Sequence, residues 1–169
     1  MIYETKRLYT REMREDDIPS LEKILKDKET MEAYEHTFSD EEVREWLQKQ
    51  RKRYKEYGFG LWAVILKESG EMIGQCGLSI QEAGGREVLE IGYLFQREYW
   101  HKGYASEAAA GCKKYAFEVL EKTEVCSIIR DTNIASMNVA IRNGMVIKNR
   151  CIRHYYGMDM PHYVFFVER

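Results

Sequence analysis

The sequence predicts an α+β fold, a central, mostly antiparallel twisted sheet of about six to seven strands flanked by about four helices. Three observations carry this. Gly60–Leu66, Met72–Ile80 and Val88–Phe95 are short apolar or alternating runs separated by turn-like Glu68-Ser69-Gly70 and Ala83-Gly84-Gly85, the pattern of an antiparallel meander. Ala105, Ala108, Ala109, Cys112, Ala116, Val119 and Leu120 then recur at helical spacing, which predicts a long helix from about Gly103 to Leu120. Last, Val125–Arg130, Ile134–Arg142, Met145–Arg153 and His162–Val167 read as strand, helix, strand, strand.

Ahead of the meander, Tyr3–Met13 alternates loosely and reads as a first strand. Asp16 and Asp17 lead into Pro19, whose missing N–H would be unpaired in a first helical turn anyway. Leu21, Ile24 and Leu25 give that short helix a buried stripe. Ser39–Glu42 is a capping box: the Ser39 hydroxyl accepts from the Glu42 N–H, and the Glu42 carboxylate reaches back. The helix it opens carries Val43, Trp46, Leu47 and Tyr54 on one side and ends near Gly58. No repeat, linker or low-complexity stretch interrupts the chain, so residues 1–169 are expected to form one domain.

The bulk numbers narrow the function. An apolar content of 44% and a charged content of 32% are ordinary for a soluble globular protein. A formal net charge of -2 gives no reason to expect a nucleic-acid partner. The four cysteines, Cys76, Cys112, Cys126 and Cys151, form no paired motif and read as reduced core residues of a cytoplasmic protein. Neither they nor His36, His101, His154 and His162 have metal-ligand spacing, so no metal is expected. No apolar run approaches the ~20 residues a membrane span needs, and the N-terminus has no signal-peptide core. The basic run Lys49–Lys55 is balanced upstream by acids and reads as a solvated helix face.

Chemistry concentrates between Glu90 and Glu107. Gly92 interrupts a good strand, where glycine marks a bulge or a close approach by backbone or ligand. The chain then passes through Lys102-Gly103-Tyr104 directly into a helix whose first N–H groups lack intrahelical partners. A strand, a glycine turn and a helix N-terminus together make an anion site. Small residues at the start (Gly103, Ala105, Ser106, Ala108) let phosphate oxygens near the backbone, and Lys102 adds a movable charge. Neither GxxxxGK[ST] nor GxGxxG is present, which argues against ATP and NAD.

The run Glu90–Phe95 (EIGYLF) followed by Tyr99–Ala108 (YWHKGYASEA) resembles motif A of the GNAT N-acetyltransferases, above all their RimJ/RimL-like branch. Thr5-Lys6-Arg7-Leu8 with Arg11, Asp16 and Asp17, then Ile73–Leu78, then Asn133–Met145 resemble further segments of that branch in the same order. The resemblance implies an acetyl-CoA-dependent N-acetyltransferase with a sheet splayed between its fourth and fifth strands. Tyr93, Leu94 and Phe95 are then expected to meet pantetheine, and the N–H groups of His101, Lys102, Gly103, Tyr104, Ala105 and Ser106 to hold the pyrophosphate. Asn133 and Asn138 are expected to supply amide contacts, and a strand N–H near Leu94 to polarise the thioester carbonyl.

Attack by an amine needs a base, because lysine and α-amino groups are largely protonated near neutrality. Two family signals are missing. The tyrosine expected seven residues after the asparagine is Ala140, and the glutamate of some members falls at Ile128. Glu90 is the candidate base and Ser136 the candidate acid, with backbone bonding the plainer role for Ser136. Tyr34, Glu35, His36 and Phe38, with the Tyr155–Met160 hairpin between His154 and His162, are the expected acceptor-pocket neighbours. The acceptor is then an amine, on a protein N-terminus or a small molecule, and a homodimer is an allowed assembly. Two other readings stand beside this one: a polyamine or antibiotic acetyltransferase, motivated by Glu29, Glu32 and Glu35, and a degenerate CoA-binding module, motivated by Ala140 and Ile128.

Overall fold

The computed structural model describes residues 1–169. Its strands are β1 (Leu8–Arg11), β2 (Leu61–Leu66), β3 (Met72–Ala83), β4 (Arg86–Phe95), β5 (Glu124–Arg130), β6 (Val146–Tyr155) and β7 (Met158–Glu168). Its helices are α1 (Ile18–Leu25), α2 (Asp40–Tyr57), α3 (Tyr104–Glu118) and α4 (Ile134–Arg142). The strands form one seven-stranded sheet in the order β1-β2-β3-β4-β5-β7-β6. Every neighbouring pair is antiparallel except β4 with β5, which run parallel.

Alternation along the strands splits the core in two. On one face Leu61, Ala63 and Ile65 pack under α1 and α2 with Leu21, Ile24, Val43 and Leu47. On the other, Trp62, Val64, Ile91 and Phe95 pack against Ala108, Ala109, Cys112 and Ala116 of α3. The capping box at Ser39 is present with both bonds, and Gly58 closes α2 in the left-handed region.

Three expectations shift in detail. The first strand is shorter than Tyr3–Met13, because the chain folds back on itself and the Thr10 N–H donates to the Tyr3 carbonyl. The long helix stops at Glu118, and Val119 is exposed, since left-handed Glu121 turns the chain away. Gly92 makes no bulge: it sits opposite Gly77 in unbroken register with β3. Close approach explains Gly77 instead, where a Cβ would lie 2.0 Å from the Gly60 carbonyl oxygen. At Gly92 the single near atom is a Leu61 methyl at 3.4 Å.

A candidate active-site cleft between β4 and β5

The cleft begins where two strands stop pairing. The Gln96 N–H donates to the Ile73 carbonyl at 2.9 Å. By alternation the N–H groups of Leu94, Gly92 and Glu90 also face β3, while those of Ile91, Tyr93 and Phe95 face β5. Yet β4 and β5 share a single pair, Glu90 with Cys126. Where the next ladder bonds would fall, side chains take them. The Ser127 hydroxyl donates to the Ile91 carbonyl at 2.8 Å, and the Ile128 N–H donates to the Glu90 carboxylate at 3.3 Å. Beyond that point the N–H groups of Tyr93 and Phe95 face an open edge. The donor expected near Leu94 is therefore not the Leu94 N–H itself, which belongs to the β3 side, and the neighbouring N–H groups of Tyr93 and Phe95 are the open ones. The Tyr93 hydroxyl donates to the Ser136 carbonyl at 2.8 Å and so joins β4 to α4 across the splay.

At one end of this edge lies the start of α3. None of the six consecutive N–H groups from His101 to Ser106 donates within the protein; the first bond of the helix is Glu107 N–H to the Gly103 carbonyl. His101 and Gly103 both adopt left-handed φ values, 59° and 80°, which gather neighbouring N–H groups into a concave nest. Arg7 braces the turn from below. It donates through Nε to Glu107 at 2.7 Å and through Nη1 to the Lys102 carbonyl at 2.9 Å, and it lies 4.3 Å from the Tyr104 ring centre. Burial alone would raise the Glu107 carboxyl, but the Thr5 hydroxyl and the Arg7 N–H and guanidinium hold it below its ordinary value. Glu107 is thus neutralised, and the Lys102 ammonium, over the Tyr99 ring at 5.3 Å, belongs to no ion pair. That donor set fits a diphosphate.

At the other end stands Glu90, half-buried on the α1–α2 face. Desolvation raises its carboxyl above the usual range against the pull of the Ile128 N–H, the Ser79 hydroxyl, Arg153 and Arg53. The α1–α2 connection folds over it. Arg130 of β5 donates to the Ala33 carbonyl at 3.1 Å and to the Glu35 carboxylate at 2.7 Å, tying that segment down. The His36 ring stacks on Tyr156 from the β6–β7 turn with centroids 4.2 Å apart, and Phe38 meets Trp46 edge-on. Tyr34 is 40% exposed, yet desolvation and then the charge of Glu90 raise its phenol. Open to solvent but walled by protein is the situation of a side chain lining a cleft.

The other candidates fall into place unevenly. Asn133 caps α4, its side-chain oxygen accepting from the Ser136 N–H at 3.1 Å, so only its amide nitrogen is free for a ligand. The Ser136 hydroxyl makes no hydrogen bond in the protein, and Asn138, two residues on, is exposed. Ala140 is buried in the core and leaves no room for a tyrosine. Ile128 has no acid, but the Glu90 carboxylate sits on its N–H, so β4 delivers a carboxylate there. Sequence reasoning gave no role to Arg7, to the Tyr93 hydroxyl, or to Asn143, whose amide donates to the Ser106 carbonyl at 3.3 Å and ties α4 to the first turn of α3. Lys49–Lys55 is also not a uniformly solvated face: Gln50 and Tyr54 are buried, and Arg53 is half-buried toward Glu90.

Residues 7–146 match the family model described as an acetyltransferase (GNAT) domain. The Bacillus subtilis protein YkkB is 36% identical over 142 residues, which span 83% of each chain. A GNAT-family acetyltransferase structure from Bacillus anthracis matches with a TM-score of 0.83 at 24% identity, covering 98% of this chain and 97% of that one. RimL, a ribosomal-protein alpha-N acetyltransferase in complex with coenzyme A, matches with a TM-score of 0.76 at 15% identity, covering 97% and 95%. The two structural likenesses concern the fold.

Proposed function

The chain belongs to the GNAT acetyltransferase family, and on that footing we propose that it transfers an acetyl group from acetyl-CoA directly to a primary amine, on a protein N-terminus or a small molecule. One observation carries the reading. The open edge of β4 connects six unpartnered N–H groups at one end to a desolvated carboxylate at the other.

In this reading the N–H groups of His101–Ser106 hold the pyrophosphate and Lys102 adds charge. The open backbone at Tyr93 and Phe95 pairs with the pantetheine arm as it would with an added strand, with Leu94 beside it. The amide nitrogen of Asn133 and the side chain of Asn138 supply further donors from α4. The Tyr93 N–H is the donor that polarises the thioester carbonyl. Glu90 takes the proton of the incoming ammonium, for which a raised carboxyl suits it better than an ordinary one. The free Ser136 hydroxyl is the candidate proton source for the departing sulfur. The presence of a carboxylate at the Ile128 N–H favours catalysis over a degenerate module.

The test is thiol release from acetyl-CoA over a panel of amines and N-terminal peptides, with Glu90→Gln beside the native chain. Turnover that needs an amine and is lost in Glu90→Gln, with CoA binding retained, supports the reading. Tight CoA binding without turnover on any acceptor would leave a CoA-binding module.

A further inference from the structure

Two guanidinium groups flank Glu90 without an anionic partner. Arg53 of α2 donates to the neutral amide oxygen of Gln50 at 3.4 Å. Arg153 of β6 donates through Nη2 to the Glu82 carbonyl at 2.7 Å, where the tip of the β3–β4 hairpin curls over the same face toward β6. The Arg53 stem lies against Gly60, which bonds Leu78 next to the Ser79–Glu90 pair. Alternation from Cys126 through Phe166 and Met160 puts Arg153 on the same sheet face as Glu90, toward which both arginines bring positive charge. Of the acids on these walls, Glu32 is exposed and in no ion pair, and the others each have a hydrogen-bonding partner. Glu35 pairs with Arg130 at 2.7 Å, Glu42 with His36 at 2.9 Å, Asp159 with His154 at 2.8 Å, and Glu29 with Arg97. Of the three acids that suggested a polycationic substrate, Glu29 and Glu35 are thus spent on arginines of the protein itself, which leaves Glu32.

The charge balance then decides what fits. An incoming ammonium is answered once, by Glu90, and two cations remain. A second positive charge on the acceptor meets like charge, whereas a negative one gives Arg53 and Arg153 a partner. Arginine presents the planar donor fork that suits a carboxylate or a phosphate. We propose that the acceptor is a primary amine bearing an anionic group, a carboxylate or a phosphate, which Arg53 and Arg153 bind while the amine faces Glu90. This rests on the acetyl-transfer reading above.

The experiment measures thiol release by the full chain at saturating acetyl-CoA on matched acceptors. These are β-alanine with β-alaninamide, phosphoethanolamine with ethanolamine, putrescine, and peptides differing in an aspartate or asparagine at their second residue. At least one anionic member is expected to exceed its neutral partner about tenfold or more in kcat/KM, mainly through KM. The carboxylate and phosphate arms tell the two sources apart. Arg53→Gln and Arg153→Gln are expected to bring that ratio toward one, a change that mere loss of stability does not produce. A ratio near one in the native chain, a preference for putrescine, or a ratio untouched by both substitutions overturns the inference and leaves acetyl transfer standing. No release from any acceptor overturns both.

Discussion

At the donor end of the cleft a single run of backbone, His101–Ser106, presents its N–H groups, whereas at the acceptor end Glu90 is met by separate elements: Ser79 from β3, the Ile128 N–H from β5, Arg53 from α2 and Arg153 from β6. The first arrangement depends on φ and ψ and tolerates many side chains. The second depends on side-chain identity at positions far apart in the chain. A cleft built this way keeps one substrate constant and leaves the other free to vary, because acceptor-wall residues change without disturbing the backbone nest.

The sharpest break in the comparison is Glu90→Gln. It is expected to lower kcat by about 10²–10⁴-fold while the CoA dissociation constant stays put. Because the Glu90 carboxyl is raised and the proposed base acts when deprotonated, kcat/KM in the native chain should fall on acidification above the usual glutamate range, and the variant should lose that limb. The stability sign runs the other way. A raised carboxyl penalises the folded state above its own pKa and is relieved as pH falls, so Glu90→Gln should melt no lower than native at neutral pH.

Next in size is the floor beneath Glu90, where Gly77 and Gly92 face each other across β3 and β4. Gly77→Ala drives a methyl into the Gly60 backbone and is expected to cost about 3 kcal/mol. Gly92→Ala meets one methyl group and should cost about 1 kcal/mol or less. Chemical denaturation of both variants measures the contrast, and equal losses would mean that the cleft floor at Gly92 is not open.

At the donor end, Gly103→Val forces a β-branched residue to φ 80° and should cost about 1–2 kcal/mol, with CoA binding weakened and the charge preference among acceptors intact. A variant that binds CoA normally would remove the nest from the site. Glu107→Gln tests its brace. The Glu107 carboxyl is held low, so its contribution is present above the ordinary glutamate value and vanishes as pH falls through the lowered one. The melting gap between Glu107→Gln and native should therefore close on acidification. The smallest effect belongs to Ser127→Ala, which frees the Ile91 carbonyl and should cost about 1 kcal/mol, with a change in CoA affinity if that bond fixes the splay.

The elements were largely legible because their signals are local. The capping box at Ser39, the stripe of α3 and the turn-separated meander each lie within a few residues of what they specify. The hairpin at Tyr155–Met160 was legible too, but its strands, Val146–Tyr155 and Met158–Glu168, run closer to the turn than the expected Met145–Arg153 and His162–Val167. Tyr156 and Gly157 both take positive φ, giving a two-residue hairpin in which a tyrosine stands where glycine or asparagine is usual.

The donor end belongs with those local features. A glycine after a strand and before a small-residue helix fixes where N–H groups point, since backbone direction follows from φ and ψ over neighbouring residues, and the sequence alone located His101–Ser106 as the candidate anion site. Pairing decided the rest. Residue order does not tell which edge of β4 loses its partner, and it takes the β3 register to separate the open N–H groups of Tyr93 and Phe95 from the paired one of Leu94. Nor does it tell that Glu90 supplies a carboxylate at Ile128, or that Arg53 and Arg153, a hundred residues apart, both lie on the side of Glu90 and belong to no salt bridge. Those are contacts across the sheet, fixed by how strands and helices pack rather than by neighbours along the chain.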